Sequence, residues 1–337
     1  MADDGAQRAV LSRLTGAWLT QAVAAMAELG VADRLYERRL TCGELARECG
    51  VHAGALYRLL RLLESHDLVE QGMGGAYALT PTGALLSRRH PESLADLALF
   101  YAGPFYASWG ALAYAVRTGR PGFEHVHGKP FFDHTAEHPD MGAAFDRAMA
   151  CGTSFFTQVP QVYDFTRHRH VVDVGGGRGA LLAAVLSQVE GLRGTLFDSQ
   201  GAVERGRAAL TEAGLAERCD FVAGDFFENV PPGGDIYLLS RILHDWDDEP
   251  AARVLAGCRR AVPDGGRLLV IERLVPDRPH DAPGALAIAW DVHMLVNNGA
   301  GRERTRAEYE HLLAGAGFTL EDVRALPLDV NVLVARG

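Results

Sequence analysis

The sequence has few cysteines and no long apolar run, and each absence excludes a class of protein. Its five cysteines include no CxxC pair, which favours reduced thiols in a cytosol over a disulfide framework or a zinc site. No apolar run approaches the roughly 18 residues of a membrane span. The Met-Ala-Asp-Asp start lacks the basic region and apolar core of a signal peptide. We therefore expect a cytoplasmic protein that does not enter a membrane.

Positive charge is also scarce. The net charge is −10, the pI is about 5.7, and Lys129 is the only lysine. Proteins that bind nucleic acid through its phosphates carry basic patches, so this composition argues against a nucleic-acid partner. The length of 337 residues predicts two domains, and a hydrophobic content of 48% is enough for packed cores.

The chain begins with a strongly apolar helical pattern. Apolar positions at helical spacing over residues 8–30 predict one amphipathic helix that stops at Gly30. Its apolar face is buried either within the core of the same chain or against a partner chain, and the pattern leaves both interpretations open.

Residues 41–80 have the pattern of a winged helix-turn-helix. A helix, a turn at Gly50, a second helix and a hairpin follow one another. Many such modules bind DNA, but the second helix here offers only Arg58 and Arg61, and acidic residues nearly match basic ones over residues 1–95. A structural or dimerising module is therefore the favoured interpretation.

Residues 92–165 are predicted to be helical and are rich in aromatic side chains. These side chains either fill a core or wall an aromatic pocket. The pairs His125-x-His127 and His134-x3-His138 lack a neighbouring acid or thiol cluster, so we expect no metal site.

Strands and helices alternate from residue 170 onward, which predicts a doubly wound parallel sheet. The predicted strands are 170–174, 194–198, 219–224, 235–240, 267–273, 318–326 and 329–335, and the predicted helices are 180–190, 201–213, 248–262 and 305–314. The last two strands are joined at Pro327-Leu328. They must be antiparallel, because a parallel pair needs a long crossover.

A glycine loop follows the first of these strands, in the run Val171 to Gly179. Glycines let the backbone approach a ligand, and the free N–H groups of the next helix point at it. Gly175, Gly177 and Ala180 also match the dinucleotide pattern G-x-G-x-x-A, with Asp198 about 20 residues further on. The loop alone therefore predicts a ligand cradle without naming the ligand.

Three more predicted strands end in residues that suit a ligand. Asp198 can accept both hydroxyls of a ribose, and Gly224-Asp225-Phe226 offers an acid and an aromatic face for a purine. Each has a plainer alternative, since Asp198 can cap a helix, Asp225 can hold a loop and Phe226 can belong to the core. The fourth strand runs into Ser240-Arg241-Ile242-Leu243-His244-Asp245-Trp246.

Together these motifs resemble the S-adenosylmethionine (SAM)-dependent small-molecule O-methyltransferases, of the plant caffeate type and its bacterial natural-product counterparts. The motifs are Asp173-x-Gly175-x-Gly177-x-Gly179, Gly224-Asp225-Phe226, His244-Asp245-Trp246, Asp291-x-x-Met294 and Gly301-Arg302-Glu303-Arg304-Thr305. The resemblance covers nearly the whole chain. It implies a class I methyltransferase (Rossmann-like) sheet with an antiparallel last strand and an N-terminal winged-helix domain that forms a homodimer. The implied divisions are a dimerisation domain at 1–95, a helical connecting and pocket segment at 96–165, and a SAM-binding catalytic domain at 166–337.

The resemblance also implies roles for individual residues. Three groups of residues would bind the methionine part, the ribose and the adenine of SAM: Gly175 and Gly177 at the methionine part, Asp198 at the ribose, and Gly224, Asp225, Phe226 and Trp246 at the adenine. Ser240 and Arg241 would lie at the sulfonium end. The plant enzymes have a lysine at the position of Arg241. The residues implied for the acceptor pocket are Phe145, Met149, Met294 and Asn298.

The resemblance places His244 as the general base, with Glu272 and Glu303 fixing its ring. A phenol with a pKa near 10 is a poor nucleophile at neutral pH, so a base beside it is useful. The predicted reaction is methylation of a hydroxyl on an aromatic small molecule in natural-product or antibiotic biosynthesis, which leaves S-adenosylhomocysteine (SAH). The alternative is a relative that binds SAM but catalyses hydroxylation, decarboxylation or a pericyclic step.

Overall fold

The computed structural model describes residues 4–280, 282 and 285–337. Two compact units divide the chain, one of residues up to 110 with 126–152 and one of residues 111–125 with 153–337. The helices are α1 (Asp4–Leu14), α2 (Gly16–Glu28), α3 (Val31–Leu35), α4 (Cys42–Cys49), α5 (Ala53–Glu64), α6 (Pro81–Ala84), α7 (Ala95–Ala102), α8 (Pro104–Trp109), α9 (Leu112–Thr118), α10 (Gly122–His127), α11 (Phe131–Glu137), α12 (Pro139–Ala150), α13 (Val159–Val162), α14 (Ala180–Gln188), α15 (Gln200–Glu212), α16 (Asp248–Ala261), α17 (Leu286–Asn297) and α18 (Arg306–Gly315). The strands are β1 (Leu40–Thr41), β2 (Val69–Gln71), β3 (Ala76–Leu79), β4 (His170–Val174), β5 (Arg193–Asp198), β6 (Cys219–Ala223), β7 (Ile236–Ser240), β8 (Arg267–Arg273), β9 (Thr319–Ala325) and β10 (Val330–Arg336).

The prediction of a single helix over residues 8–30 is wrong at Thr15, where α1 ends and α2 follows. The hydroxyl of Thr15 donates to the carbonyl of Ser12 at 3.1 Å, and a glycine comes next. A side chain that bonds its own backbone and a residue of low helix propensity both weaken a helix at that point. Gly30 does end the pattern, with a φ of +68°.

The helix-turn-helix and hairpin prediction is confirmed in the first unit. Thr41 and Glu44 form a capping box at the start of α4, and Gly50 ends that helix with a φ of +69°. Helix α5 follows, and β1, β3 and β2 form a three-stranded antiparallel sheet in that order. Helices α7 to α13 confirm the helical prediction for residues 92–165.

The second unit contains a seven-stranded sheet with the order β6-β5-β4-β7-β8-β10-β9. The first five strands are parallel, while β10 pairs antiparallel with both β8 and β9, as predicted. After β6 the chain crosses to the other side of β4, so a crevice opens between the carboxyl ends of β4 and β7. Ligands of such sheets bind at this crossover point.

Both faces of this sheet are covered by apolar side chains. One face packs against α14 through residues such as Leu182, and the other packs against α16 and α18 through residues such as Leu255. Buried β-branched and leucine side chains on both faces are typical of parallel strands.

Helix α17 was not predicted from the sequence. Its first N–H groups find their acceptor far along the chain, because the Oδ2 of Asp329 accepts from Leu286 at 2.6 Å and from Ala287 at 3.4 Å. Asp329 lies in the turn between β9 and β10 with a φ of +60°. This helix therefore starts where the folded chain supplies a cap, and no local motif marks the place.

All five cysteines are free thiols. Within the part of the chain that the structure describes, no helix has both the length and the apolar character needed to cross a bilayer. The boundaries predicted after residues 95 and 165 stay predictions.

Candidate active site

The glycine loop between β4 and α14 has three residues in the left-handed region. The φ angles are +69° at Gly175, +58° at Gly177 and +74° at Gly179. A Cβ at Gly175 would lie 2.5 Å from the Cδ1 of Ile242, whereas a Cβ at Gly177 would have no atom of the described chain within 4 Å. The loop is thus tight on its inner side at Gly175 and open beside Gly177, as expected of a backbone that a ligand approaches.

Asp198 at the end of β5 is fixed against this loop. Its Oδ2 accepts from the N–H of Gly177 at 2.9 Å, and its Oδ1 accepts from the N–H of Ser199 at 2.6 Å. Ser199, and not Asp198, is the N-cap residue of α15. The arrangement ties the carboxylate to the glycine loop rather than to the first turn of α15, and each oxygen retains a lone pair for a ligand hydroxyl.

The strand end after β6 joins the same edge of the sheet. The N–H of Gly224 donates to the carbonyl of Asp198 at 2.9 Å, and the Oδ1 of Asp225 accepts from Phe227 at 2.8 Å. A Cβ at Gly175 would lie 3.7 Å from the ring of Phe226, so that ring lies beside the glycine loop. The indole of Trp246 meets the ring of Phe227 edge-on at 4.8 Å.

Ser240 and Arg241 lie where β7 ends, across the crevice from the glycine loop. The Oγ of Ser240 is buried and has no hydrogen-bond partner among the described residues. Arg241 has a φ of +55°, and its guanidinium lies 5.6 Å from the ring centre of Phe156. Unusual backbone angles at non-glycine residues concentrate at binding and catalytic sites.

His244 lies in the short 3-10 helix after β7 and faces two buried carboxylates. Its Nδ1 is 3.1 Å from the Oε1 of Glu303 and 3.7 Å from the Oε2 of Glu272, while its Nε2 is 3.8 Å from the Oδ1 of Asp245. The side chains of both glutamates are fully buried, and that of His244 is 12% exposed. The structure therefore brings together the three residues that the sequence assigned to catalysis.

Charge around the imidazole changes its affinity for a proton. Burial lowers the pKa of His244, but Glu272, Glu303 and Asp245 outweigh burial and raise the pKa to about 10. Burial and the charge of Glu303 raise the pKa of Glu272 to about 7, against the opposing effect of His244. The cluster thus holds a proton tightly on its histidine.

Backbone donors also hold Glu272 in place. Its Oε1 accepts from the N–H groups of Ile242 at 3.0 Å and Leu243 at 2.9 Å. The carboxylate of Glu272 therefore faces the imidazole of His244 and also fixes the loop that carries this histidine. The N–H of Glu303 donates to the Oδ1 of Asp291 at 3.1 Å, which holds the backbone of the residue that carries the second carboxylate.

Arg304 anchors the His244 loop, and this role was missed in the sequence. Its fully buried guanidinium donates to the carbonyl of Leu243 at 2.9 Å and to that of Trp246 at 2.8 Å, and it pairs with Asp248 at 2.8 Å. The signal in the sequence was its place in the Gly301 to Thr305 motif. A buried arginine, however, cannot be told from an exposed one by its neighbours in sequence.

Met294 and Asn298 of the predicted acceptor pocket lie beside this loop. The amide of Asn298 donates to the Oδ1 of Asp245 at 2.9 Å. A Cβ at Gly301 would lie 2.7 Å from the carbonyl oxygen of His244, 2.8 Å from Met294 and 3.2 Å from Asn298. Only a glycine at 301 lets these groups come so close.

Phe145 and Met149, the other two pocket predictions, belong to the first unit, on α12. The ring of Phe145 lies 4.8 Å from that of Phe131 and 5.6 Å from that of Phe100, in an aromatic cluster. A shared pocket with Met294 and Asn298 stays a prediction.

His244, Glu272 and Glu303 are also the one group with metal-ligand spacing in the described chain, with potential ligand atoms within 4.8 Å of one another. Among the described residues, the His125 to His138 stretch contains no such group, and the rings of His134 and His138 stack there at 4.1 Å. The expectation of no metal stays a prediction.

The residues at the crevice fit a cofactor with a charged end and a ribose. An open backbone at Gly177, an oriented carboxylate at Asp198 and the unpartnered hydroxyl of Ser240 lie on neighbouring strand ends. A buried hydroxyl without a partner costs free energy that a polar ligand atom would recover.

Comparison with known proteins identifies the cofactor. Residues 109–319 match the O-methyltransferase domain family, and residues 11–89 match the O-methyltransferase dimerisation domain family. A solved methyltransferase of calicheamicin biosynthesis, in its SAH-bound form, superposes with a TM-score of 0.90, 33% identity and coverage of 100% of this chain and 99% of that chain.

Curated relatives extend over nearly the whole chain. The 3-amino-4-hydroxybenzoate 4-O-methyltransferase of Streptomyces cremeus is 44% identical over 99% of this chain and 91% of its own length. The aclacinomycin 10-hydroxylase of Streptomyces purpurascens is 37% identical over 91% of this chain and 84% of its own length. The chain therefore belongs to the SAM-dependent O-methyltransferase family, together with bacterial enzymes of natural-product biosynthesis, and SAM is its cofactor.

Proposed function

We propose that the protein methylates a hydroxyl group of an aromatic small molecule, a polyketide or phenolic natural product, with His244 as the general base. One observation carries this proposal. The Nδ1 of His244 lies 3.1 Å from Glu303, inside a pair of buried carboxylates. A neutral imidazole that donates from Nδ1 to Glu303 has its lone pair on Nε2, where a phenolic proton can be taken up.

The proton balance supports this assignment. An ordinary imidazole, with a pKa near 6.5, is a poor acceptor for the proton of a phenol, whose pKa is near 10. The carboxylates raise the pKa of His244 to about 10, so its neutral form binds the phenolic proton more tightly than an ordinary imidazole does. General-base catalysis contributes about 10²- to 10⁴-fold and is most effective when the pKa of the base lies near the operating pH, so the rate should rise as the pH increases above neutral.

The remaining residues bind and orient. SAM supplies, when bound, a methyl group that its positive sulfur makes electrophilic. The glycine loop and Asp198 would hold the cofactor. Ser240 would form a hydrogen bond with the polar end of the cofactor, and Phe226 and Asp225 would flank its adenine. The stabilisation expected from holding two reactants in line is several kcal/mol, up to about 7–11 kcal/mol.

A second candidate is a non-methylating reaction on the same scaffold, because one relative carries the name of a hydroxylase. The complete His244, Glu272 and Glu303 cluster favours methyl transfer, since a proton acceptor for a phenol is what that reaction needs. The two candidates differ in their products, because only methyl transfer converts SAM to SAH and labels the acceptor.

The test is incubation with methyl-labelled SAM and a panel of phenols, hydroxybenzoates, hydroxynaphthoates and aromatic polyketides. Label in an acceptor, with one SAH formed for each methyl transferred, supports the proposal. Acceptor conversion without label would support the second candidate. Parallel reactions with a chelator should run at the same rate, and a loss of activity would instead assign His244, Glu272 and Glu303 to a metal ion.

A further inference from the structure

Arg273, the last residue of β8, is a buried cation without an anionic partner among the residues that the structure describes. Arg273 exposes 7% of its surface to solvent, and its Nε has no hydrogen-bond partner in residues 4–280, 282 and 285–337. It forms no ion pair with any carboxylate of those residues. A buried charge that nothing compensates is costly, so such groups normally face a counter-charge.

The guanidinium of Arg273 lies against an aromatic face. Its Cζ is 4.3 Å from the ring centre of Trp290, on α17. Arginine stacked on an indole keeps its planar edge of N–H groups available for a second partner. The stacking therefore fixes the position of the cation without neutralising it.

The position of Trp290 links this cation to the catalytic cluster. Trp290 and Met294 lie on α17 and Asn298 is its C-cap residue, and the spacings of four residues place the three on one stripe. Asn298 at one end of the stripe donates to Asp245, the neighbour of His244. At the other end, Trp290 carries Arg273. The stripe thus runs from the proposed base to the uncompensated guanidinium.

We propose that Arg273 binds a carboxylate of the acceptor, so that the acceptor is an aromatic acid whose reactive hydroxyl lies at His244 and whose acid group lies at Arg273. A carboxylate fits a guanidinium edge with two parallel hydrogen bonds. The ring between the two groups would lie along Met294. This inference rests on the proposed function, because it assigns the opposite end of the same acceptor.

The experiment compares acids with their own primary amides. The probes are 4-hydroxybenzoate and 3-amino-4-hydroxybenzoate, each with its carboxamide, titrated calorimetrically into the SAH-loaded protein and also assayed for methyl transfer. The variants are Arg273→Met and Arg273→Lys, and the control is Arg278→Met, an exposed arginine of the β8–α17 connection. Thermal unfolding identifies any variant that fails to fold, and in that case the wild-type preference and the Arg273→Lys variant decide.

We expect the wild type to bind an acid at least about 30-fold more tightly than its amide, because removing one partner of a buried charge pair costs at least that much. Arg273→Met should remove this preference and leave amide binding unchanged, Arg273→Lys should retain part of it, and Arg278→Met should retain all of it. Equal binding of acid and amide by the wild type, equal losses for both probes in Arg273→Met, or no measurable binding of either acid would overturn the inference.

The two proposals fail separately. Acid binding that depends on Arg273, without methyl transfer to any acceptor, would contradict the proposed function and support the inference. Methyl transfer at equal rates to an acid and to its amide would support the proposed function and contradict the inference.

Discussion

The buried guanidinium of Arg304 donates a 2.9 Å hydrogen bond to the carbonyl of Leu243, the residue before His244. A further bond from the same guanidinium reaches the carbonyl of Trp246, two residues after His244. The backbone that carries the proposed base is therefore held at its N–H groups by Glu272 and at its carbonyls by Arg304.

Replacing Arg304 by lysine should loosen this loop. Lysine keeps the charge but cannot bridge two carbonyls with a planar fork. The free energy of unfolding should fall by about 3 kcal/mol, since hydrogen bonds to charged groups are worth about 1.5–3 kcal/mol each. We expect kcat to fall at least about tenfold with SAM affinity unchanged, measured by steady-state kinetics and calorimetry.

Arg306→Lys is the matched control, because that residue is exposed at the start of α18. It should leave both stability and kcat unchanged. A stable Arg304→Lys variant with full activity would show that the His244 loop does not depend on this anchor.

Glu272→Gln should move the pH dependence of kcat/KM to lower pH. The pKa of His244 is about 10 because of the surrounding carboxylates, so in the free wild-type enzyme the base is mostly protonated at pH 7 and activity rises with pH towards about 10. Removing one nearby negative charge should lower this pKa, and the rising limb should start about 1–3 pH units earlier.

The acceptor titrates equally with both enzymes, so the difference between their profiles reports the enzyme. Glu310→Gln, an exposed glutamate of α18, should match the wild type. If the rising limb of the pH profile of Glu272→Gln coincides with that of the wild type, Glu272 does not raise the proton affinity of His244.

Asp198→Ala should weaken cofactor binding selectively. The carboxylate accepts from Gly177 at 2.9 Å, and its loss would remove both the proposed ribose contact and a support of the glycine loop. We expect the dissociation constant for SAH to rise at least about tenfold, as for the loss of hydrogen bonds to a charged group. Calorimetry measures it, and a variant with unchanged SAH affinity and weakened acceptor binding would mean that Asp198 is assigned to the wrong ligand.

The catalytic sheet was predictable because its signals are local. The strands 170–174 and 267–273 were predicted to the residue, since their apolar runs end at glycine, arginine or turn residues. The antiparallel last pair followed from a connection too short for a crossover. His244 and Glu303 lie in motifs of the family, and the resemblance adds Glu272 at the end of β8, so the three could be grouped.

What could not be predicted depends on contacts that are distant in sequence. Helix α17 is capped by Asp329, so no neighbouring residue marks its start. The roles of Arg304 and Arg273 depend on burial, which sequence spacing does not reveal. The ring of Trp246 contacts that of Phe227, and its place beside the adenine stays a prediction.

The exposed apolar face of the first two helices should form a homodimer interface. Helix α1 has no buried residue, and its exposed side chains include Leu11 and Leu14, at 61% and 67%, while Trp18 on α2 is 68% exposed. The match of residues 11–89 to a dimerisation domain supports this use of the face. The double variant Leu14→Asp and Trp18→Asp should be monomeric in size-exclusion chromatography with light scattering, because two buried charges would remain unpaired.

Met73 is fully exposed on the β2–β3 hairpin, and Met73→Asp is the control that should stay dimeric. A dimer that persists in the double variant would place the interface elsewhere.

The most direct test of the account compares His244→Ala with the wild type in a single assay of methyl transfer from labelled SAM, with SAH affinity measured on the same samples. Because the imidazole acts on the acceptor proton, the account predicts a kcat lower by at least about 100-fold and an unchanged SAH affinity. A His244→Ala enzyme that transfers methyl groups at the wild-type rate would contradict the assignment of His244 as the base.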